Sequence, residues 1–167
     1  VFFGVALLLR NPSWKLTILE AAPVLQGRDQ EWNISRDELD ELIALGILTR
    51  EEVEAVITTE FPACRSGFKN KEVTPLKGGY FDNDVGYETT TDAVLNCGVA
   101  PKQLLEIVKK RFTSLGGTVQ EGTRLQGVVV SESVGVALDM GDDQLSTTGL
   151  LLDCMGNASP ISRQQRY

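Results

Sequence analysis

Residues 1–20 read VFFGVALLLRNPSWKLTILE, and this stretch decides the predicted fold class. The apolar run Val1–Arg10 predicts a buried helix, and Asn11–Ser13 predicts a turn because it contains a proline between polar residues. Lys15–Glu20 is mostly apolar, as expected for a parallel strand that is covered on both faces. A helix followed by such a strand indicates an α/β fold.

Glu20 closes this strand in the way that an acidic residue closes the second strand of a dinucleotide-binding βαβ unit. In such units a glycine-rich G-x-G-x-x-G loop precedes the helix, and the carboxylate binds a pair of ribose hydroxyls. The glycine pattern is absent from this sequence. We therefore expect the chain to be an internal fragment of a longer protein.

Composition limits the function classes. The 167 residues suffice for one ordinary domain, and 42% hydrophobic and 23% charged residues are typical of globular proteins. A net charge of −7 argues against a general nucleic-acid or anionic-membrane surface. Because histidine is absent, neither a Ser-His-Asp nor a Cys-His mechanism can operate within this chain.

The three cysteines, Cys64, Cys97 and Cys154, are widely spaced and form no C-x-x-C pair. This pattern favours reduced thiols in a cytoplasmic or plastid-like compartment, each packed as a small core residue, rather than a zinc site. Val1–Leu9 is too short to span a bilayer, and no targeting segment is visible. We expect no membrane span.

Two short helices are predicted in the middle of the chain, after a loop over Ala21–Ile34. Ser35–Glu38 forms a capping box at the start of the first, and Gly46 ends it. Thr49 and Glu52 start the second in the same way. The apolar face of the first helix is predicted to comprise Leu39, Leu42, Ile43 and Leu45. Short strands and loops follow, with a turn at residues 82–84.

The clearest predicted helix is Pro101–Leu115, with proline at its first position and glycines after its end. Thr118–Glu121, Leu125–Ser131 and Gly135–Met140 predict strands of a β-meander. Gly149–Asp153 predicts one more apolar strand, which leads into Cys-Met-Gly.

This order of elements resembles the FAD-dependent oxidoreductases of the aromatic-hydroxylase type, which include the lycopene cyclase and geranylgeranyl reductase relatives. The resemblance covers most of the chain. It implies a partial Rossmann-like, glutathione-reductase-like FAD-binding domain formed by residues 1–34 and 97–167. Residues 35–96 would be an inserted helix–strand region that belongs to a substrate domain.

The resemblance also implies roles for individual residues around the adenosine half of FAD. Glu20 would accept the ribose hydroxyls. The backbone of Thr123, Arg124 and Leu125 would contact the adenine edge.

The remaining implied contacts concern the pyrophosphate. Arg28 would lie near the FAD or its pyrophosphate, with an ordinary surface arginine as the alternative. Lys102 stands where the family usually has Arg or Gln, and a solvated lysine is the alternative. Asp153 and Gly156, followed by Ser159 and Arg163, would form a turn at the ribose and pyrophosphate. Cys154 and Met155 separate the Asp and the Gly that are adjacent in the hydroxylases. This difference favours the cyclase-like branch of the family and argues against nicotinamide contact.

The function implied by the resemblance is that of a flavin-dependent oxidoreductase or monooxygenase-like enzyme acting on an organic, apolar small molecule. FAD would carry the redox step, with NAD(P)H as a candidate electron donor. Hydroxylation, reduction and cyclisation are all compatible with these residues, and the oligomeric state stays open. No catalytic residue is assigned: Glu31, Glu60 and Asp84 are candidates only as carboxylates outside the predicted helices.

Three alternatives stay open beside this interpretation. One is a Rossmann-like nucleotide-binding module that uses no flavin, and another is a degenerate binding module. A methyltransferase-like sheet also has an acid at the end of its second strand, but the predicted meander argues against it.

We expect the chain by itself to be inactive and to bind FAD weakly or not at all, because it lacks the glycine-rich loop. The measurement is a titration of the purified chain with free FAD, followed by flavin fluorescence. Tight, stoichiometric binding would contradict this expectation.

Overall fold

The computed structural model describes residues 1–69, 86–133, 135–141, 145–156 and 159–164. The chain divides into two compact units. The larger unit comprises Val1–Trp14 and Gln26–Leu115, and the smaller unit comprises Lys15–Leu25 and Gly116–Tyr167.

The larger unit contains four of the described helices and five of the described strands: α1 (Phe2–Arg10), β2 (Trp32–Ile34), α2 (Arg36–Ala44), α3 (Arg50–Val56), β3 (Ile57–Glu60), β4 (Ala63–Lys69), β5 (Gly86–Asp92), β6 (Cys97–Val99) and α4 (Pro101–Ser114). The smaller unit contains β1 (Thr17–Leu19), β7 (Thr118–Gln120), β8 (Gly127–Ser131), β9 (Gly135–Asp139), β10 (Leu145–Thr148) and α5 (Pro160–Gln164).

Helix α4 is the centre of the larger unit. Its apolar face buries Leu104, Val108 and Phe112 completely, as the spacing of these residues along the helix predicts. Helix α1 packs on this face through Gly4, where a Cβ atom would come within 3.0 Å of Phe112 Cδ2. Glycine is therefore required for the close approach of the two helices.

Both predicted capping boxes are present. The Ser35 N–H donates to the Glu38 carboxylate at 2.8 Å, and the Thr49 N–H donates to the Glu52 carboxylate at 2.7 Å. Glu52 has a second role, since Arg111 on α4 donates to both of its oxygens at 2.8 Å. One carboxylate thus starts α3 and ties it to α4.

The larger unit also contains a three-stranded antiparallel sheet in the order β2-β6-β3. Asn96, directly before β6, is only 6% exposed. Its Oδ1 accepts from the Arg36 N–H at 3.1 Å, its Nδ2 donates to the Phe61 carbonyl at 3.1 Å, and its own carbonyl accepts from the Phe61 N–H at 2.8 Å. One amide therefore links the start of α2, the end of β3 and the start of β6.

Strands β4 and β5 form a separate antiparallel pair within the larger unit, from Ala63 opposite Asp92 to Lys69 opposite Gly86. The predicted turn at residues 82–84 and the candidate Asp84 lie outside the described residues.

In the smaller unit, β1 and β7 form a parallel pair in which Ile18 lies opposite Val119. Strands β8, β9 and β10 form an antiparallel meander. Among the described residues of the smaller unit, the buried apolar side chains are those of Leu125 and Leu138.

Three strand predictions were wrong in detail. Thr118–Gln120 pairs with β1 instead of joining the meander, whose third strand is Leu145–Thr148. Gly149–Asp153 forms no strand, and Leu150 and Leu152 are exposed, because no described strand pairs with this segment. The predicted loop Ala21–Ile34 ends in β2, which pairs with β6.

Some burial predictions were also wrong. Phe3, Leu9 and Leu45 are exposed, with Phe3 68% and Leu45 60% accessible, because only one side of α1 and of α2 faces a neighbouring element. Cys97 is buried as predicted, whereas Cys154 is exposed. The mixed α/β character is confirmed, while the Rossmann-like assignment and the division into residues 1–34 with 97–167 and residues 35–96 stay predictions.

Replacing Asn96 with alanine is expected to destabilise the larger unit by about 1–3 kcal/mol, because the Arg36 N–H and the Phe61 carbonyl lose their buried partner. The measurement is the free energy of unfolding from urea denaturation. Asn33→Ala, at an exposed position of β2, is the matched control and is expected to stay within about 0.5 kcal/mol of the parent. Equal losses in both variants would contradict the role of Asn96.

Candidate functional site

The parallel pair β1–β7 places Glu20 at the carboxyl end of β1. The Glu20 N–H donates to the Gln120 carbonyl at 2.9 Å, and the Glu20 carbonyl accepts from the Thr123 N–H at 2.9 Å. The predicted ribose-binding acid and the predicted adenine-contacting segment are therefore neighbours through direct backbone bonds.

The Glu20 side chain is half-buried, and its Oε1 accepts from the Ala22 N–H at 2.8 Å. This bond holds the carboxylate at the start of the loop that follows β1. A carboxylate has about four acceptor sites, so acceptor capacity remains for a further donor.

The loop after β1 is held to the loop after β7 by two more bonds. The Leu25 N–H donates to Glu121 Oε1 at 2.5 Å, and the Gly122 N–H donates to the Ala22 carbonyl at 2.8 Å. Glu121 was not singled out from the sequence, because nothing in its local pattern indicates a partner far away along the chain. Of the other predicted residues here, Arg124 is exposed and Leu125 is buried.

Asp153 organises a second turn of the smaller unit. Its Oδ1 accepts from the Met155 N–H at 2.9 Å, and its Oδ2 accepts from the Ser159 hydroxyl at 2.5 Å. The hydrogen bond from Ser159, and to a smaller extent the one from Met155, holds the pKa of the Asp153 carboxyl below its usual value. The exposed carboxylate is therefore charged at neutral pH and fixed in orientation.

Ser159 is fully buried and also begins helix α5. Its hydroxyl oxygen accepts from the Ile161 and Ser162 N–H groups at 3.1 and 3.2 Å. Ser159 followed by Pro160 is the sequence signal of this helix start, and α5 is a helix that the sequence prediction lacks.

Gly156 lies between Asp153 and Ser159 with a φ of +59°, which favours glycine. Apart from Gly156 itself and its chain neighbours, no described residue has an atom within 4 Å of the position that a Cβ would take, so this face of the backbone has open space beside it. The turn thus combines a fixed charge with exposed backbone.

In the larger unit, the loop that carries Arg28 lies against the start of α4. A Cβ on Gly27 would come within 2.6 Å of the Lys102 backbone nitrogen, so only glycine permits this contact. Arg28 is exposed. Lys102 forms a 2.5 Å ion pair with Asp29, so part of its charge is already neutralised. The structure therefore brings the segments of Arg28 and Lys102 together.

Arg36 joins two carboxylates beside β6. It donates to Glu60 through Nε and a terminal nitrogen, and to Glu54 at 2.8 Å. The bond from Arg36 lowers the pKa of Glu60, and the pKa of Arg36 is raised chiefly by Glu60. Burial, followed by the charge of Glu60, raises the pKa of the Cys97 thiol, which disfavours a nucleophilic thiolate. Glu60 is accordingly an ion-pair partner of Arg36.

Glu31 is the other carboxylate candidate that the structure describes. It lines a cavity of about 390 Å³ in the larger unit together with Phe61, Leu95 and Gly98. The Thr58 hydroxyl donates to its Oε1.

Within the described ranges, no group of three or more cysteine, aspartate or glutamate side chains is arranged to hold a metal ion. None of the described helices has the length and apolarity needed to cross a bilayer.

The chain is similar in fold to two halogenases and a Diels-Alderase. The flavin-dependent halogenase CmlS gives a TM-score of 0.67 at 19% identity, over 99% of this chain and 29% of that one. Halogenase PltM, solved with phloroglucinol and FAD, gives a TM-score of 0.64 at 10% identity, over 99% of this chain and 34% of that one. The Diels-Alderase PyrE3 of pyrroindomycin biosynthesis gives 0.61 at 20% identity, over 96% and 31%.

At these identities the similarity is one of fold. The chain spans about a third of the length of these proteins, from 29% to 34%. No family model and no curated protein matches the sequence.

Replacing Ser159 with alanine is expected to raise the pKa of Asp153 toward the usual value of about 3.9, because its first stabilising bond is lost. The depressed pKa favours the folded state above the unfolded pKa, and this stabilisation is lost as pH falls through the folded pKa. The parent should therefore lose stability on acidification more than the variant does. Carboxyl NMR titration measures the pKa directly.

Ser162→Ala is the matched control, since the Ser162 hydroxyl donates to the Ser159 carbonyl and does not touch Asp153. It should leave the Asp153 titration unchanged. An unchanged pKa in Ser159→Ala would contradict the assigned cause.

Proposed function

We propose that this chain forms part of a flavin-dependent oxidoreductase, monooxygenase-like in type, that binds FAD and acts on an organic, apolar small molecule. The proposal is supported by the fold similarity to flavin-dependent halogenases, one of them solved with FAD. It is also supported by the arrangement of the smaller unit.

The observation that carries the proposal is the backbone bond between Thr123 and Glu20. It joins the backbone of Glu20, the predicted ribose-binding acid, to the residue directly before Arg124 and Leu125, whose backbone would contact the adenine edge. A nucleotide with a ribose diol and a neighbouring base matches this pair of features, because the diol donates to a carboxylate while the base edge pairs with backbone groups.

The described residues of the smaller unit fit FAD chemically. Glu20 retains acceptor capacity beyond its bond to Ala22, as a diol requires. Gly156 leaves its backbone open, and Asp153 is held charged and oriented beside it. We assign Glu20, Arg124, Leu125, Asp153 and Gly156 to the cofactor on these grounds.

Arg28 and Lys102 are proposed separately, as cations toward the pyrophosphate. Their segments meet at the start of α4, where unpaired backbone N–H groups favour an anion. Asp29 competes for Lys102.

When bound, FAD would supply the electron transfer of the reaction. The chain's own residues would bind and orient the cofactor. NAD(P)H is the proposed electron donor, and a reducing cytoplasmic or plastid-like compartment is the proposed location.

Glu20→Ala is expected to weaken FAD binding about tenfold to a hundredfold, since hydrogen bonds to a charged group contribute roughly 1.5–3 kcal/mol. The protein is produced from the complete open reading frame that encodes this segment. FAD content is then measured from visible absorption, and affinity from titration of the stripped protein.

Glu132→Ala removes the same charge from the exposed β8–β9 turn of the same unit and should leave FAD binding unchanged. Equal effects of the two variants would overturn the role of Glu20. A colourless protein that binds ADP but no flavin would instead favour the flavin-free nucleotide-binding module.

A further inference from the structure

The cavity of the larger unit is a candidate ligand site in its own right. Its volume of about 390 Å³ falls within the range of small-molecule pockets, roughly 300–1,000 Å³. Its walls combine apolar side chains, including Phe61 and Leu95, with the polar groups of Glu31 and Asn33. All of these residues belong to the larger unit.

The carboxylate of Glu31 lies beside Gly98, a residue of β6 that has no side chain to cover it. A Cβ on Gly98 would approach Glu31 Oε1 at 3.2 Å and Thr59 Oγ1 at 2.6 Å. The Thr58 hydroxyl donates to Oε1 and so orients the carboxylate. No described residue donates a hydrogen bond to Oε2, so this oxygen is available to a ligand.

The charges around the cavity favour a cation. Glu31 is the only carboxylate among the described lining residues, and none of those residues is a lysine or arginine. Arg36 is the nearby cation, because its partner Glu60 lies opposite Cys97 in the sheet. Its charge is neutralised by Glu54 and Glu60. The ring of Phe61, 58% exposed, adds a face that attracts cations.

The rim of the cavity is held in a sparsely populated conformation. Leu95 has a φ of +50° and Ala93 a φ of +57°, in the left-handed region that non-glycine residues rarely adopt. The Leu95 N–H donates to Ser35 Oγ at 3.0 Å, and Asn96 is fixed by its bonds to Arg36 and Phe61. This network keeps Leu95 at the rim, 51% exposed, as an apolar contact that is already in place.

We infer that this cavity binds a small organic cation, with a protonated amine on Glu31 and an apolar or aromatic body against Phe61 and Leu95. The same charge pattern disfavours a carboxylate ligand. The inference needs no flavin, so it stands or falls independently of the proposed function.

The test uses the chain of 167 residues without FAD and three probes of similar shape: benzylamine, benzyl alcohol and benzoate. Binding is followed by ¹H–¹⁵N NMR at the amides of Leu95, Asn96 and Gly98. Benzylamine is expected to shift these amides and to bind most tightly of the three. Glu31→Gln should weaken benzylamine about threefold to tenfold and leave benzyl alcohol unchanged, because only the ionic contact is lost.

Glu41→Gln, at an exposed position of α2, removes the same charge elsewhere in the larger unit and should change neither ligand. Phe61→Leu keeps an apolar side chain but removes the ring, and it should weaken benzylamine more than benzyl alcohol. Three results would overturn the inference: benzoate binding as tightly as benzylamine, equal effects of Glu31→Gln and Glu41→Gln, or no shift of the cavity amides with any probe.

Discussion

A buried side-chain amide must find partners for its polar atoms, and in the larger unit that constraint falls on Asn96. Its bonds to Arg36 and Phe61 join the first turn of α2 to the end of β3. The arrangement of sheet and helices around β6 depends on this junction. It also sets the position of Leu95, and through it the rim of the cavity beside Glu31.

The smaller unit uses the same principle with carboxylates. Glu20, Glu121 and Asp153 each accept a hydrogen bond from a backbone N–H of a loop, so the loops after β1 and before α5 are fixed by charged acceptors. A charged acceptor forms a stronger bond than a neutral one. The side chains proposed to bind the cofactor, Glu20 and Asp153, therefore also hold their own loops in place.

Local signals in the sequence were sufficient for four of the five described helices, and α5 was missed. The capping boxes at Ser35 and Thr49, and the proline at position 101, predicted helix starts that the structure contains. Strands were predicted less well, because a strand exists only where a partner supplies hydrogen bonds. Gly149–Asp153 has the apolar composition of a strand but no described partner, whereas Trp32–Ile34 has a weak pattern and pairs with β6.

The sequence by itself determined the mixed α/β class, the starts of α2, α3 and α4, and the identity of the acid that follows β1, because each depends on contacts within a few residues. Only the tertiary structure decided that Thr123 bonds to Glu20, that Ser159 orients Asp153 from a buried position, and that Glu31 lines a cavity. The physical reason is that loop closure brings together residues whose local patterns carry no record of each other.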